Sequence, residues 1–199
     1  MKKIVVRGYS AYVIKEDGSL WVTGKNEYGQ LGAGEKEKIK KWKKVLDKVI
    51  EVKINRGSAY VIKEDGSLWA TGRNEYGELG IGDTKNRNKW EKVLEGVREV
   101  KAEGASVYVT KEDGSLWVAG KNEYGQLGAG EEKEIKKWKK VLDKVREVKI
   151  DRSSAYVIKE NGSLWVTGKN KYGQLGVGNT DNRNKWEKVL DGVKEVKAN

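Results

Sequence analysis

Hydrophobic and polar residues follow a pattern that recurs every 48 residues along the chain. Each unit opens with alternating apolar positions, such as Ile4/Val6 and Val52/Ile54, as expected of a strand with one buried face. A continuous apolar run follows, Ala11 to Ile14 in the first copy, and is typical of a strand covered on both sides. The pattern therefore predicts two adjacent strands at the start of every unit.

Turn and loop signals complete the unit. The pair Asp17-Gly18 predicts a two-residue hairpin turn with positive φ at both central residues, and Asn161-Gly162 replaces it in the last copy. A third strand over Ser19 to Thr23 then pairs back, and after a glycine-punctuated loop a fourth short strand covers Trp42 to Leu46. Four strands in one unit predict a propeller blade.

The repeat boundaries predict four blades, at residues 2–49, 50–97, 98–145 and 146–193. Residues 194–199 restart the first-strand pattern, so they predict a fifth first strand. This strand either pairs across a join between protomers, or one of the two terminal strands is frayed. The odd and even copies differ before the last strand: Ile39, Trp42 and Leu46 fall at a spacing that allows a short helical turn, whereas the even copies predict an irregular Asn-rich loop.

The segment with the most specific pattern is Gly18 to Gly32, which reads GSLWVTGKNEYGQLG and returns with few changes at 66–80, 114–128 and 162–176. It resembles the signature of the regulator of chromosome condensation repeat, particularly its bacterial branch. The match covers essentially the whole chain. This resemblance implies an all-β propeller that is used for protein recognition, and it does not imply an enzyme.

The chain also departs from that family. Between the first and second strands, where the family usually has Gly-Gly/Ser-His, the first copy reads Arg7-Gly8-Tyr9-Ser10, and Ser replaces His in every copy. Tryptophan stands before the last strand, where many eukaryotic members have Pro. No counterpart is present of the insertion through which the eukaryotic founder acts on a small GTPase, so nucleotide exchange is not carried over.

The number of blades in one chain constrains how the chain can form a closed ring. Family members are typically seven-bladed, with about 51° between neighbouring blades, close to about 45° in an eight-bladed ring and far from about 90° in a four-bladed one. An open half-ring would expose two apolar blade faces, which proteins usually cover. We therefore expect a homodimer whose two half-rings complete an eight-bladed propeller, with a closed four-bladed propeller as the alternative.

The amino-acid composition excludes most classes of catalytic and metal-binding site. The 199 residues contain no Cys and no His, which excludes disulfides, thiolate metal sites and a histidine base. No catalytic, cofactor or metal residues are predicted, and the absence of a signal peptide or membrane-spanning run favours a cytoplasmic setting. Heavy Lys/Glu use without Pro, Phe, Cys or His is found in hyperthermophile proteins and also in idealised engineered repeats, so both origins remain open.

Two basic stretches are candidate anion-binding sites, because lysines that flank an aromatic ring suit phosphate attraction and base stacking, and the net charge is +11. They comprise Lys40, Lys41, Trp42, Lys43 and Lys44, and Lys136, Lys137, Trp138, Lys139 and Lys140. Against this reading, Trp90 and Trp186 hold the same repeat position beside glutamates, which favours packing for the Trp and a solvated face for the Lys.

Candidate partner-binding residues fall in two groups. The first is the loop tyrosines, which suit a recognition rim or a plug between blades: Tyr28, Tyr76, Tyr124 and Tyr172. The second differs among the copies and is predicted to gather at one mouth of the channel: Tyr9, Arg56, Glu103 and Arg152. The sequence thus predicts a protein-binding scaffold, of which an inhibitor like the β-lactamase-inhibiting relative is a narrower form; the alternative is a nucleic-acid or anionic-surface binder.

Overall fold

The structure is a computed structural model that describes residues 3–197, and in that range it forms four antiparallel sheets of four strands each. The first two sheets contain β1 (Lys3–Arg7), β2 (Ser10–Ile14), β3 (Leu20–Gly24) and β4 (Ile39–Leu46), then β5 (Val49–Asn55), β6 (Ser58–Lys63), β7 (Leu68–Gly72) and β8 (Arg87–Leu94). The last two contain β9 (Val97–Glu103), β10 (Ser106–Lys111), β11 (Leu116–Lys121) and β12 (Glu134–Leu142), then β13 (Val145–Asp151), β14 (Ser154–Lys159), β15 (Leu164–Gly168) and β16 (Arg183–Leu190). The all-β, four-bladed prediction is confirmed.

The second strand of each sheet lies deepest, as its continuous apolar run predicts. In β6 the residues Ala59, Tyr60 and Val61 are all buried. Burying a tyrosine leaves its hydroxyl in need of a partner, and the Tyr60 hydroxyl donates to the Glu78 carbonyl at 2.9 Å. The same bond joins Tyr12 to the Gln30 carbonyl at 2.7 Å, so each sheet is tied to its own glycine-rich loop.

The hairpin between the second and third strands differs from the predicted turn. Only Gly18 has positive φ, at 74°, and Lys15 N donates to the Ser19 carbonyl across a wider loop. The Asp17 carboxylate accepts bonds from Ser19 Oγ at 2.6 Å and Ser19 N at 2.9 Å, which lowers the pKa of Asp17. These bonds stabilise a turn in which Asp17 keeps an ordinary backbone conformation.

The expectation of a helical turn in the odd copies is wrong. Residues 39–46 form the continuous strand β4, with Ile39 opposite Gly24 and Lys43 opposite Val22. The outer edge of β3 offers unpaired backbone groups, which a strand satisfies and a helical turn cannot. In the second copy the expected irregular loop is confirmed over residues 82–86, whereas Arg87 and Asn88 of the same Asn-rich segment belong to β8.

Apolar clusters fill the interface between each pair of successive sheets, which we call a seam. In the first seam Tyr12, Leu20 and Leu31 of one sheet pack with Val61 and Trp90 of the next. The innermost strands contact one another in chain order, β1 with β5, β5 with β9, and β9 with β13. The sheets are therefore packed face to face as propeller blades.

The arc of blades is open in a single chain. Trp42 is 49% exposed although its counterpart Trp90 is only 8% exposed, and Ile4 and Val6 are 66% and 67% exposed. At the other end Tyr172 is 80% exposed. The closed four-bladed alternative is therefore wrong, because closure would bury these side chains against each other.

The predicted fifth first strand is absent from the single chain. Residues 193–197 follow β16 without joining a sheet, because the single chain has no following blade whose second strand could pair with them. Residues 198 and 199 of that predicted strand lie outside the described residues. Between residues 3 and 197 no helix is long and apolar enough to cross a bilayer.

Candidate functional site

The turns that join first to second strands lie at one end of the blades, beside the glycine-rich loops. Arg56, Glu103 and Arg152 line a single cleft of about 370 Å³ together with Tyr124, and we call this the mouth cleft. The Arg152 backbone N–H donates to Glu103 Oε1 at 2.9 Å, which joins the third and fourth blades at this site. Tyr9, which is 87% exposed, lines a different cleft beside the first blade's own loop.

Several of these turns hold non-glycine residues in the left-handed backbone region. The φ angles are 67° at Tyr9, 47° at Arg56 and 41° at Arg152. Gly104 fills the position of Arg56 and Arg152 in the third blade, with φ of 61°, and Tyr9 stands one position later in its own turn. A non-glycine residue there costs on the order of 1 kcal/mol, and strain of this kind concentrates at functional sites. The side chains at the mouth are therefore not those that would maximise stability.

Three of the four loop tyrosines bridge consecutive blades. Tyr28 packs against Gly57 and lies 5.4 Å, ring centroid to Arg73 guanidinium carbon, from the next blade's cation. Lys121 lies 5.0 Å from the ring centroid of Tyr76, and Lys169 lies 5.3 Å from that of Tyr124. Such cation–π pairs link each blade to its successor. Tyr172 has no following blade in the chain, and its ring is largely exposed.

The glycine-rich loop is held rigid by the asparagine that precedes each tyrosine. Asn26 Oδ1 accepts from Leu31 N at 2.9 Å, and Asn26 Nδ2 donates to the Glu35 carbonyl at 2.7 Å. The loop then presents Gly32 directly to the indole of Trp90 in the next blade, so that a methyl group at Gly32 would collide with that ring. The glycine-rich loop of one blade thus receives the tryptophan of the next blade in each seam. We call the loop the socket and the tryptophan the plug.

The two lysine-rich stretches lie on the outermost strands β4 and β12. Lys43 Nζ lies 2.9 Å from Glu35 and Lys44 Nζ lies 2.7 Å from Asp47, so both charges are paired. Trp138 packs in the seam between the second and third blades, and is not free to stack on a base. Anion binding by these stretches stays a prediction.

Two features escaped the sequence reasoning. Glu78 occupies a buried position that the other copies fill with Gln, and burial raises the pKa of its carboxyl group. The second feature is the matching shape of the two end faces, which is formed around Trp42 in the first blade and Gly176 in the fourth. The 48-residue repeat contains this information. The tryptophan of each later blade contacts the glycine-rich loop of the blade before it, whereas Trp42 has no preceding blade and Gly176 has no following blade.

Comparison with known proteins adds to this geometry. The family described as the regulator of chromosome condensation (RCC1) repeat matches residues 65–102, which run from the β6–β7 turn of the second blade into β9. This segment of the chain is therefore similar to one RCC1 repeat. No curated protein is significantly similar to it in sequence.

Several solved structures share the fold at low sequence identity. Human WBSCR16 is 21% identical with a TM-score of 0.72, and the alignment covers 98% of this chain and 54% of that one. Yeast RCC1 (Prp20), solved with Kap60, is 15% identical with a TM-score of 0.77, covering 96% and 48%. Prp20p of Saccharomyces cerevisiae, solved separately, is 15% identical with a TM-score of 0.76, covering 96% and 50%. The chain thus spans about half the length of these three structures.

Proposed function

We propose that this chain is a non-enzymatic, protein-binding propeller module and that it works as a homodimer, with two half-rings completing eight blades. The observation that carries this proposal is the complementarity of the two end faces. Each has the chemistry of one side of a seam that the chain already makes three times.

The fourth blade offers the socket side. Ile158, Leu164, Val166 and Leu175 form an apolar cluster equivalent to Ile14, Leu20, Val22 and Leu31 of the first seam. Gly176 stands where Gly32 receives the indole of Trp90, yet nothing lies within 4 Å of the place where its side chain would begin. The socket is formed, and no plug from the same chain fills it.

The first blade offers the plug side. Trp42 holds the repeat position of Trp90, and Ala11 and Val13 hold those of Ala59 and Val61, which are buried against the preceding blade. In the first blade the same three residues are partly or largely exposed. Trp42 of a second copy therefore fits the loop at Gly176, and the reciprocal contact forms an identical second seam. A heterologous contact of this kind makes a ring when the rotation closes.

The mouth supports the protein-binding part of the proposal. Arg56 and Arg152 keep positively charged side chains on a strained backbone in the cleft that also holds Glu103 and Tyr124. Arginine and tyrosine are the residues that most often dominate binding energy at protein interfaces. Yeast RCC1 (Prp20), which shares this fold, was solved bound to Kap60, another protein. The Ser106 hydroxyl in the cleft donates to the Lys121 carbonyl and accepts from Gln126 Nε2, neither of which is a base, so this arrangement favours recognition over catalysis.

Light scattering of the 199-residue chain tests the assembly, with an expected mass of twice 22.4 kDa. Gly176→Ala should reduce it to one chain, because the new methyl group would meet the partner's Trp42. Gly104→Ala is the matched control: its φ of 61° resembles the 66° of Gly176, and nothing lies within 4 Å of either position. A wild-type mass of 22.4 kDa would refute the homodimer, and equal masses for the two variants would refute the seam between Trp42 and the loop at Gly176.

A further inference from the structure

The chain carries five first-strand segments for four blades, since residues 193–197 repeat the pattern of β1, β5, β9 and β13. We infer that, in the homodimer, residues 193–197 of each copy form the innermost strand of the partner's first blade in place of β1. This inference rests on the homodimer proposed above. The closing seam is thereby made by strand exchange.

The segment already lies where the first strand of a following blade would begin. Val193 N donates to the Gly162 carbonyl at 2.8 Å, as Val145 N does to the Gly114 carbonyl at 2.8 Å. Arg146 Nη2 donates to the Val193 carbonyl at 3.0 Å, as Arg98 Nη2 does to the Val145 carbonyl at 3.0 Å. The fourth blade therefore holds Val193, the first residue of this segment, with the bonds that the third blade uses for Val145 of β13.

Val196 occupies a place that only one residue can fill. It packs against the open apolar cluster of the fourth blade, in the repeat position of the buried Val52, Val100 and Val148. Ile4 holds that same repeat position at the start of the chain. When a partner's first blade docks on the fourth blade, its Ile4 would need the space that Val196 already fills. One of the two strands must be displaced.

The pattern of charges favours the C-terminal segment. In the complete seams a glutamate and a lysine two residues apart pair along the first strand, as Glu99 and Lys101 do at 3.1 Å. Glu195 and Lys197 carry the same pair, 3.8 Å apart, whereas β1 has Val5 where the lysine should be. Residues 193–197 therefore match the strand that the other seams use.

Displacing β1 costs the packing of Val5 against the first seam, and its other side-chain contacts are few. Ile4 and Val6 are both about two-thirds exposed, and the seam contact of Arg7 is a single 3.1 Å bond from its Nη1 to the Ile54 carbonyl. Residues 195–197 would take over the pairing of Lys3, Ile4 and Val5 with β2, so that Val196 lies opposite the partner's Val13 as Ile4 does now; residues 193–197 do not reach the positions of Val6 and Arg7.

Cysteine pairs in this cysteine-free chain give a direct test. Directly opposite residues in an antiparallel pair lie within disulfide reach. Val196→Cys with Val13→Cys should give a covalent dimer on mild oxidation, seen on a non-reducing gel, whereas Ile4→Cys with Val13→Cys should give little crosslinking in the dimer. An uncrosslinked dimer from the first pair, together with efficient intrachain bonding in the second, would overturn strand exchange.

Glutamate at the same repeat position separates this inference from the homodimer itself. Val196→Glu should reduce the mass to one chain, and Ile4→Glu should leave the dimer intact, with thermal unfolding confirming that both fold. The opposite pattern would overturn strand exchange and leave the homodimer standing. A wild-type chain that is already monomeric would refute the homodimer on its own.

Discussion

Replacing Trp42 with alanine separates assembly from folding. If the closing seam resembles the others, Trp42 goes from 49% exposed to the 8% of Trp90, which removes about two-fifths of its surface from water. For a side chain of about 250 Å² this is about 100 Å², or about 2.5 kcal/mol at about 25 cal/mol/Å². A ring contains two such seams, so Trp42→Ala should weaken dimerisation by about 5 kcal/mol. This corresponds to more than a thousandfold in the dissociation constant.

Trp90→Ala is the matched control, because Trp90 has the same repeat position inside a complete seam. Its ring is already buried in the single chain, so truncation should lower the free energy of unfolding by about 3–5 kcal/mol. Trp42→Ala should cost the folded single chain much less, since half of that ring faces solvent. The two variants are thus expected to separate a loss of assembly from a loss of stability.

Sedimentation velocity over a dilution series measures the first effect, and denaturant unfolding at a concentration where the chain is monomeric measures the second. The reasoning is refuted if Trp42→Ala dimerises as tightly as the wild type. It is equally refuted if Trp42→Ala destabilises the monomer as much as Trp90→Ala, since the first blade would then already be covered.

Three further predictions concern the pH response, the mouth and the basic strands. Glu78→Gln should stabilise the chain by about 1 kcal/mol near neutral pH, because the amide can donate as Gln30 donates to Ser10 Oγ at 3.2 Å. Burial raises the pKa of Glu78, so the wild type should lose stability as the pH rises from the usual glutamate range through that raised value. Denaturant titrations across pH should show no such slope in the variant, and an equal slope would contradict this. Arg152→Gly should stabilise the chain by about 0.5–1 kcal/mol by relieving the positive φ, measured by thermal unfolding, whereas a loss would mean that the fold itself requires Arg152. Immobilised DNA should not retain the chain even at low salt, since Lys43 and Lys44 are paired; retention that falls steeply with salt would favour the nucleic-acid alternative.

The periodicity of the sequence predicts most of the fold, because each blade repeats the same alternation and the same glycine loop. Details that depend on side-chain competition were not accessible in this way. The Asp17 carboxylate binds Ser19 and selects a wider turn, and the edge of β3 draws residues 39–46 into a strand although their apolar spacing also suits a helix. Both errors arise where a local signal is overruled by a hydrogen-bonding partner.

The candidate site was predictable to a lesser extent. Positions that vary among the copies indicated the mouth, and the structure brings Arg56, Glu103 and Arg152 to one cleft while Tyr9 lies at another. The end faces were expected as exposed surfaces, but their plug and socket depend on where the Trp42 indole and the loop at Gly176 lie. Periodicity predicts which residues have equivalent neighbours; it does not give the shape of an interface.

The position of residues 193–197 has a consequence for how such a chain can grow. Because they lie where another blade would start, a second copy of the gene could continue in frame from this point with no added linker. The two halves would then be one covalent polypeptide, and its termini could be moved to any blade junction by circular permutation. A tandem fusion of this kind would make the stability of the closed ring independent of protein concentration.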